Sequence, residues 1–428
     1  MIHDPVAVSP WRRPATIPAD LVRAPARGAV DLAVIGAGFQ GLSAALQAAR
    51  RGLSVQVIEA ASLGEGASGL NGGQVIPGLK FDPEALVAML GPEQGARLTE
   101  FSAGTADAVF DLISNEKLAV PHCRTGWIQA AHTETAMAAA AQRNRQWRAH
   151  GADVTLLNQA EIALLTGAKG YKGGWLDRRA GTIDPLAFVF ELARLAVDQG
   201  VGIVLNQRVT SLRRDDGSWR VTMAGGGEVR AAKVLVATNA YSEALVPGLA
   251  QSLVWLHSFQ IATAPLPASL DDIILPHGQA VSDSRRILIY FRKSPDNRLV
   301  LGGRGPMRVP TGPQDWQHLE RALTRLYPVL QGLPIERRWF GRVAVTADFL
   351  PHLHEPQPGL LMVAGCQGRG IGLMTALGTP LADYIAGGDP RLLPLPVSPI
   401  RPIPLHRFRR VGVAARIAWF RMLDRLER

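Results

Sequence analysis

DLAVIGAGFQGLSAALQAARRGLSVQVIEA, residues 31–60, decides the fold. DLAVIG is an apolar run suited to a buried parallel strand. Gly36, Gly38 and Gly41 then set G-x-G-x-x-G across the strand-to-helix turn. The first glycine permits the tight turn and the second lets backbone approach a pyrophosphate. The third lets the helix pack on the strand, with its N-terminus turned to the phosphate charge. A helix is expected over 39–51, stopped by Gly52, and LSVQVIE supplies the second strand. Glu59 lies 18 residues beyond Gly41, near the ~20 expected of a carboxylate that accepts from ribose hydroxyls. No arginine follows it closely, which argues against a 2′-phosphate. The unit reads as one that binds a dinucleotide.

Which dinucleotide is decided further along. Gly64, Gly66, Gly69, Gly72 and Gly73 follow within ten residues of one another, where a second helix would ordinarily start. So many glycines oppose a helix and fit a loop laid against a long, flat ligand. LLMVAGCQGRGIGLMTALGTPLADYIAGG (360–388) repeats the pattern of strand, glycine turn and helix, the helix running to about Ile385. AAKVLVATNAY (231–241) is a buried strand ending in Thr238-Asn239-Ala240, another close-approach turn. Three separated turns at strand ends suggest one extended cofactor, and FAD fits this better than NAD.

With these stretches in place, the chain resembles the D-amino-acid oxidase / glycine oxidase / sarcosine oxidase superfamily, closest to γ-glutamylputrescine-oxidase-like proteins. The resemblance rests on VIGAGFQGLSAA with Glu59, ASGLNGGQ (67–74), GWLDRRAGTIDPLAF (174–188) and VATNAY (236–241). It continues through RRILIYFRKSPDNRLVLGGRG (285–305), GRVAVTADFLPHL (341–353) and GCQGRGIGL (365–373), and covers about 30–388. It implies a mixed α/β fold, a Rossmann-type FAD-binding domain interleaved with an antiparallel-sheet substrate domain. The FAD-binding domain is expected over 30–80, 185–246 and 340–388, and the substrate domain over 81–184 and 247–339. An N-terminal extension (1–29) and a proline-rich strap with a basic helix (389–428) complete the chain.

The resemblance implies non-covalent FAD contacted by Gly36, Gly38, Gly41, Glu59, Ser68, Asn71, Gly72, Gly73 and Gln74. Val209 (through its backbone, at the adenine), Thr238, Gly368, Arg369, Gly370 and Ile371 complete the set. The hairpin 285–304 should place Tyr290 and Arg292 on one face and Phe291 on the other; Arg369, Tyr290 and Arg292 are the candidate catalytic residues. The implied reaction is oxidation of a C–N bond in a small amine or amino acid, with oxygen or a quinone- or dye-type molecule taking the electrons. The resemblance also admits a role in tRNA modification, and the basic tail admits a membrane-docked flavoprotein.

Some family positions differ. Gly372 stands where sarcosine oxidases carry a carboxylate-binding lysine, and Val300 where they carry the lysine that activates oxygen. Leu70 replaces an arginine usual in close relatives, and Arg369 a histidine. Arg369, with Arg292 or Arg304 from the hairpin, is left as the positive charge near the ring.

Cys123 and Cys366 have no metal-ligand spacing, so no zinc site or disulfide framework is indicated. Cys366 reads as a small buried hydrophobe, because family cysteines that attach FAD match Val343 or Ala344. His352 and His354 read as loop residues, not metal ligands. The N-terminus carries no secretory pattern and no apolar run suits a membrane span, so a cytoplasmic location is expected.

Eight arginines and two acids within 401–428 put six of the ten net positive charges in the tail. Its helix has an apolar stripe of Val411, Ala414, Ala415, Ala418, Trp419, Met422 and Leu426. That stripe can pack on the chain's own domain or rest weakly on an anionic membrane. No nucleic-acid partner is expected, since a basic helix alone has no groove-reading signature.

Overall fold

The computed structural model describes residues 9–11, 21 and 28–426. The expected first unit is present. Ala29–Ile35 pairs in parallel with Val55–Ile58 and with Glu228–Val236. Gly202–Val204 extends the sheet beyond Val55–Ile58, and Leu360–Ala364 pairs in parallel with Glu228–Val236 on the other side. Two antiparallel additions, the hairpin Val209–Asp215/Ser218–Met223 and the strand His352–Gln357, finish the sheet. His352 and His354 thus stand on a strand and not in a loop. No cluster of metal-ligating side chains occurs among the described residues.

Helix Phe39–Arg50 lies against Pro185–Asp198 and Gly378–Ile385. Leu42, Leu46, Phe188, Leu192 and Leu381 bury together there with Val34 and Val57 of the sheet. Asp184 caps Pro185–Asp198 by accepting from the amides of Leu186 and Ala187 at 2.9 and 3.0 Å, and Pro185 opens the first turn. The last helix is not continuous to Ile385: Gly370–Ala376 and Gly378–Ile385 are separated at Leu377.

A second eight-stranded sheet runs in the order Ile335–Val345, Val254–Pro265, Arg298–Arg304, Ile289–Lys293, Ala280–Asp283, Trp127–Ala131, Gly173–Asp177, Val154–Asn158. Its pairs are antiparallel except Ala280–Asp283 with Trp127–Ala131. The hairpin 285–304 is present, with Ile289–Lys293 on Arg298–Arg304. Phe259, Phe291, Trp316 and Tyr327 anchor this sheet's own core.

Two features bear on the domain layout. Strand Ile335–Val345 runs through the expected boundary at 340. Helices Pro83–Leu90, Pro92–Ala103 and Asp107–Asn115 bury Leu86, Leu98, Val109, Phe110 and Ile113 in the core of the first sheet. A three-stranded sheet of Gln74–Val75, Gly181–Ile183 and His122–Cys123 lies between the larger two in sequence and ties the glycine loop down. Among the described residues no helix is long and apolar enough to cross a membrane.

Candidate active site

One cavity of about 1640 Å³ is lined by both large sheets, larger than the ~300–1,000 Å³ of an ordinary small-ligand pocket. On the first sheet its wall is built from backbone. Gly36 has φ +106°, and a Cβ on Gly41 would stand 1.9 Å from the Gly36 carbonyl oxygen. The turn and the helix can therefore meet this closely only as glycines. A Cβ on Gly38 would meet Ser68 Oγ at 2.8 Å, and that hydroxyl accepts from the Phe39 amide at 3.1 Å. Glu59 reaches the same turn: Oε2 accepts from the Ala37 amide at 2.8 Å and Oε1 from the Ala61 amide at 3.0 Å. Burial pushes its pKa up, against the two amides that hold the charged form. Each oxygen keeps a lone pair for a further donor in the cavity.

The remaining expected cofactor contacts gather around the same cavity. Ser68, Asn71, Gly72, Gln74, Val209, Thr238, Gly368, Arg369, Gly370 and Ile371 all border it. Gly41 and Gly73 lie behind the wall. Asn71 shapes the loop, donating to the Ala67 and Ser68 carbonyls and accepting from the Gly73 amide at 2.8 Å. Gln74 pins it to the second sheet by donating to the carbonyls of Val281 and Phe291.

The hairpin's face parity is as expected, but its two polar residues have different fates. Tyr290 borders the cavity, and its hydroxyl pairs with Ser258 Oγ at 2.7 Å. Burial pushes its pKa up, so it stays a neutral phenol. Arg292, expected in a catalytic role, lies outside the cavity. Its Nη1 donates to the carbonyls of Gly73 and Ile183 at 2.9 and 2.6 Å, and its plane lies over Trp11. It clamps the glycine loop from behind. Val300 is also turned away, 1% exposed and packed with Trp11, Leu186 and Trp339. A lysine there would not reach the cavity.

Position 372 cannot supply a cation either, since a Cβ on Gly372 would face the Thr105 carbonyl at 3.0 Å. The positive charge comes from elsewhere. Arg369 is half-buried with its guanidinium 4.9 Å over Trp127, and its buried Nε has no hydrogen-bond partner. Burial, with Arg143 nearby, pushes its pKa down to about 10. Arg304 borders the cavity with its pKa lowered by burial. Lys80, which nothing in the sequence singled out, stands open to the cavity. Enclosing protein, then the charges of Arg369, Arg304 and Arg143, pushes it down to about 8. The acids whose charge reaches Arg369 are engaged by other arginines, Asp82 by Arg143 and Asp177 by Arg179. Close by, Gln260 donates to the Leu70 carbonyl at 2.8 Å and keeps a buried, unpartnered Oε1.

The C-terminal helix Arg409–Leu426 covers one side of the cavity through Val413, Arg416, Ile417 and Phe420. Asp424 fixes it by accepting from the backbone amides of Arg286 and Ile287 at 3.2 and 3.1 Å. Arg416 lies over Phe349 and Arg409 over Trp255. The stripe read from the sequence is not the packed face: Val411, Trp419, Met422 and Leu426 point to solvent.

The glycine turn, the oriented Glu59 and the volume of the cavity fit FAD, and the cavity's lining continues onto the second sheet. Residues 31–384 match the family described as FAD dependent oxidoreductase. The chain is 30% identical over 371 residues to the Probable oxidoreductase OrdL of Haemophilus influenzae, covering 85% of this chain and 84% of that protein. It is 28% identical over 410 residues to the γ-glutamylputrescine oxidoreductase of Escherichia coli, covering 92% and 93%. The glycine oxidase structure from Geobacillus kaustophilus superposes with a TM-score of 0.72 at 21% identity, over 87% of this chain and 99% of that one. Motif, cavity and match agree: the chain belongs to the FAD dependent oxidoreductase family, in the D-amino-acid oxidase superfamily.

Proposed function

We propose that this protein oxidises the C–N bond of a small amine that also carries a carboxylate, an amino acid or an N-substituted relative of one. The observation that carries the reading is the group Lys80, Arg304 and Arg369, cations bordering the cavity with no carboxylate bound to them among the described residues. Lys80 is open to the cavity and Arg304 and Arg369 are half-buried beside it, so three like charges repel one another with no counter-charge, and an anionic ligand relieves that repulsion. The name of the Escherichia coli relative, an amine oxidoreductase, supports the amine half of the reading.

Gly36, Gly38, Glu59, Ser68, Thr238 and the turn at Gly368–Ile371 would hold FAD non-covalently, with Cys366 buried against the Gly365–Gly370 turn as a small apolar group. When bound, FAD accepts the hydride from the carbon next to nitrogen. The chain's own residues orient and exclude water. Lys80, Arg304 and Arg369 hold the carboxylate; Gln260 Oε1 is placed to accept from the amine N–H; Tyr290, fixed by Ser258, and Trp127 wall the reacting carbon. A substrate amine that arrives neutral needs no protein base. The imine formed is hydrolysed by water to an aldehyde or oxo acid plus an amine or ammonia, and the electrons pass on to oxygen or a quinone-type acceptor.

The test begins with the purified yellow protein, from which acid precipitation should release FAD into the supernatant. Mixed anaerobically with candidate amines, it should lose its flavin absorbance near ~450 nm with those that carry a carboxylate and not with their amides. A carboxylate lacking the amine should bind as an inhibitor. Its affinity should fall as pH rises past about 8, where Lys80 loses its proton. Lys80→Met should weaken that inhibitor about tenfold and flatten the pH dependence. Bleaching by neutral amines alone would overturn the proposal.

A further inference from the structure

We infer that helix Arg409–Leu426 is an interfacial helix that rests its outer face on an anionic lipid surface while its inner face stays on the cavity. The helix has two apolar faces. The inner one, Val413, Ile417 and Phe420, borders the cavity, and Asp424 tethers it to the loop at Arg286–Ile287. The opposite one is open: Val411 is 69% exposed, Trp419 54%, Met422 42% and Leu426 74%. Spaced at helical intervals, these four form one stripe with Ala414, Ala415 and Ala418, all exposed. The turn before the helix adds exposed Leu405 and Phe408. Exposed Arg407 and Arg410 accompany the stripe.

A packed helix hides its larger apolar side chains, whereas this one shows a tryptophan, a methionine and a leucine to water. An apolar stripe with arginine-rich flanks is the pattern that lies in a membrane interface: the stripe enters the acyl boundary and the arginines meet lipid phosphates. The charge favours lipid over a second copy of the chain. Six of the ten net positive charges sit in the tail, and two copies face to face would bring like charges together. The helix does not span, since no described helix is long and apolar enough to cross a membrane. Docked in this way, the protein presents the cavity's covered side toward the lipid.

The full-length, FAD-loaded protein should sediment with vesicles of phosphatidylcholine containing about a third phosphatidylglycerol, and not with phosphatidylcholine alone. Raising salt should weaken the binding. The triple variant Trp419→Glu, Met422→Glu, Leu426→Glu should lower vesicle binding at least about tenfold, with FAD content and basal amine oxidation unchanged. As a check that needs no disruptive variant, Trp419 emission should shift to the blue on anionic vesicles, read as native protein minus Trp419→Phe. Equal binding to neutral vesicles, full binding by the triple variant, or an unmoved Trp419 signal would each overturn the inference. So would light scattering that shows a dimer, made monomeric by the triple variant, with no affinity for vesicles.

Discussion

Arg292 is buried and Arg369 half-buried at the cavity wall, and what separates their roles is what their donors meet. Arg292 spends its donors on backbone: Gly73 and Ile183 through Nη1, Lys293 through Nε at 2.9 Å. Arg369 keeps Nε unpartnered at the cavity wall. Alternation along the hairpin predicted correctly that Tyr290 and Arg292 share a face, yet parity says nothing of depth, and two residues further along the strand is already behind the loop. Arg292→Ala should take the Nη1 donor from the Ile183 carbonyl and the second donor from the Gly73 carbonyl, which keeps the Ile183 amide, and destabilise the holoprotein by about 1–3 kcal/mol. Denaturant midpoints of holoprotein check this, and the folded variant should keep its turnover within a few-fold. Turnover lost at unchanged stability would restore the catalytic reading. Gly41 is the contrasting case: its constraint is a contact with Gly36 a few residues away, so the local sequence carries it in full.

At the scale of elements, the C-terminal helix shows where periodicity stops informing. Its sequence contains two apolar sets on opposite faces, and the larger reads as the packed one. Tertiary contacts decide otherwise, because Phe349, Trp255 and the amides of Arg286 and Ile287 offer partners only to the face that bears Arg416, Arg409 and Asp424. The first strand–helix–strand unit was legible for the opposite reason: it has one apolar pattern, one glycine turn and one acid at the right spacing, all local. Helices 83–115 join the first sheet's core although the sequence reading puts 81–184 in the substrate domain, since nothing in an amphipathic run names its partner. Asp424 should behave as a cap acting across elements. Asp424→Ala should speed hydrogen exchange at the Arg286 and Ile287 amides by about tenfold, the value of one or two lost hydrogen bonds. FAD should stay bound. Unaltered exchange would show that the helix covers the cavity without fixing that loop.

The cationic group exists only at the scale of the whole molecule. Lys80 follows the glycine loop, Arg304 ends a strand of the second sheet and Arg369 stands in the last glycine turn, so no window of sequence contains them together. The family resemblance implies cations at 300 and 372, and here both positions face protein. Moving the charge to other elements changes the expectation for the electron acceptor. The reading based on Val300 alone predicts a sluggish reaction with oxygen. In the folded chain Lys80, Arg304 and Arg369 border the cavity, and with FAD bound there we propose that they would favour the negative charge that builds as oxygen takes its first electron. On the proposed function the same cations would bind the product carboxylate, which would cancel them. Substrate-reduced enzyme freed of ligand should therefore react with oxygen about tenfold faster than enzyme holding an anionic product. Lys80→Met with Arg304→Met should slow the free enzyme toward the product-bound rate, whereas Val300→Lys should leave the rate unchanged or unfold the protein. Stopped-flow mixing of reduced enzyme with oxygenated buffer, with and without product, reads all of these rates. A free-enzyme rate indifferent to both product and the double substitution would mean that these cations serve carboxylate binding only, and that electrons leave by a quinone-type acceptor.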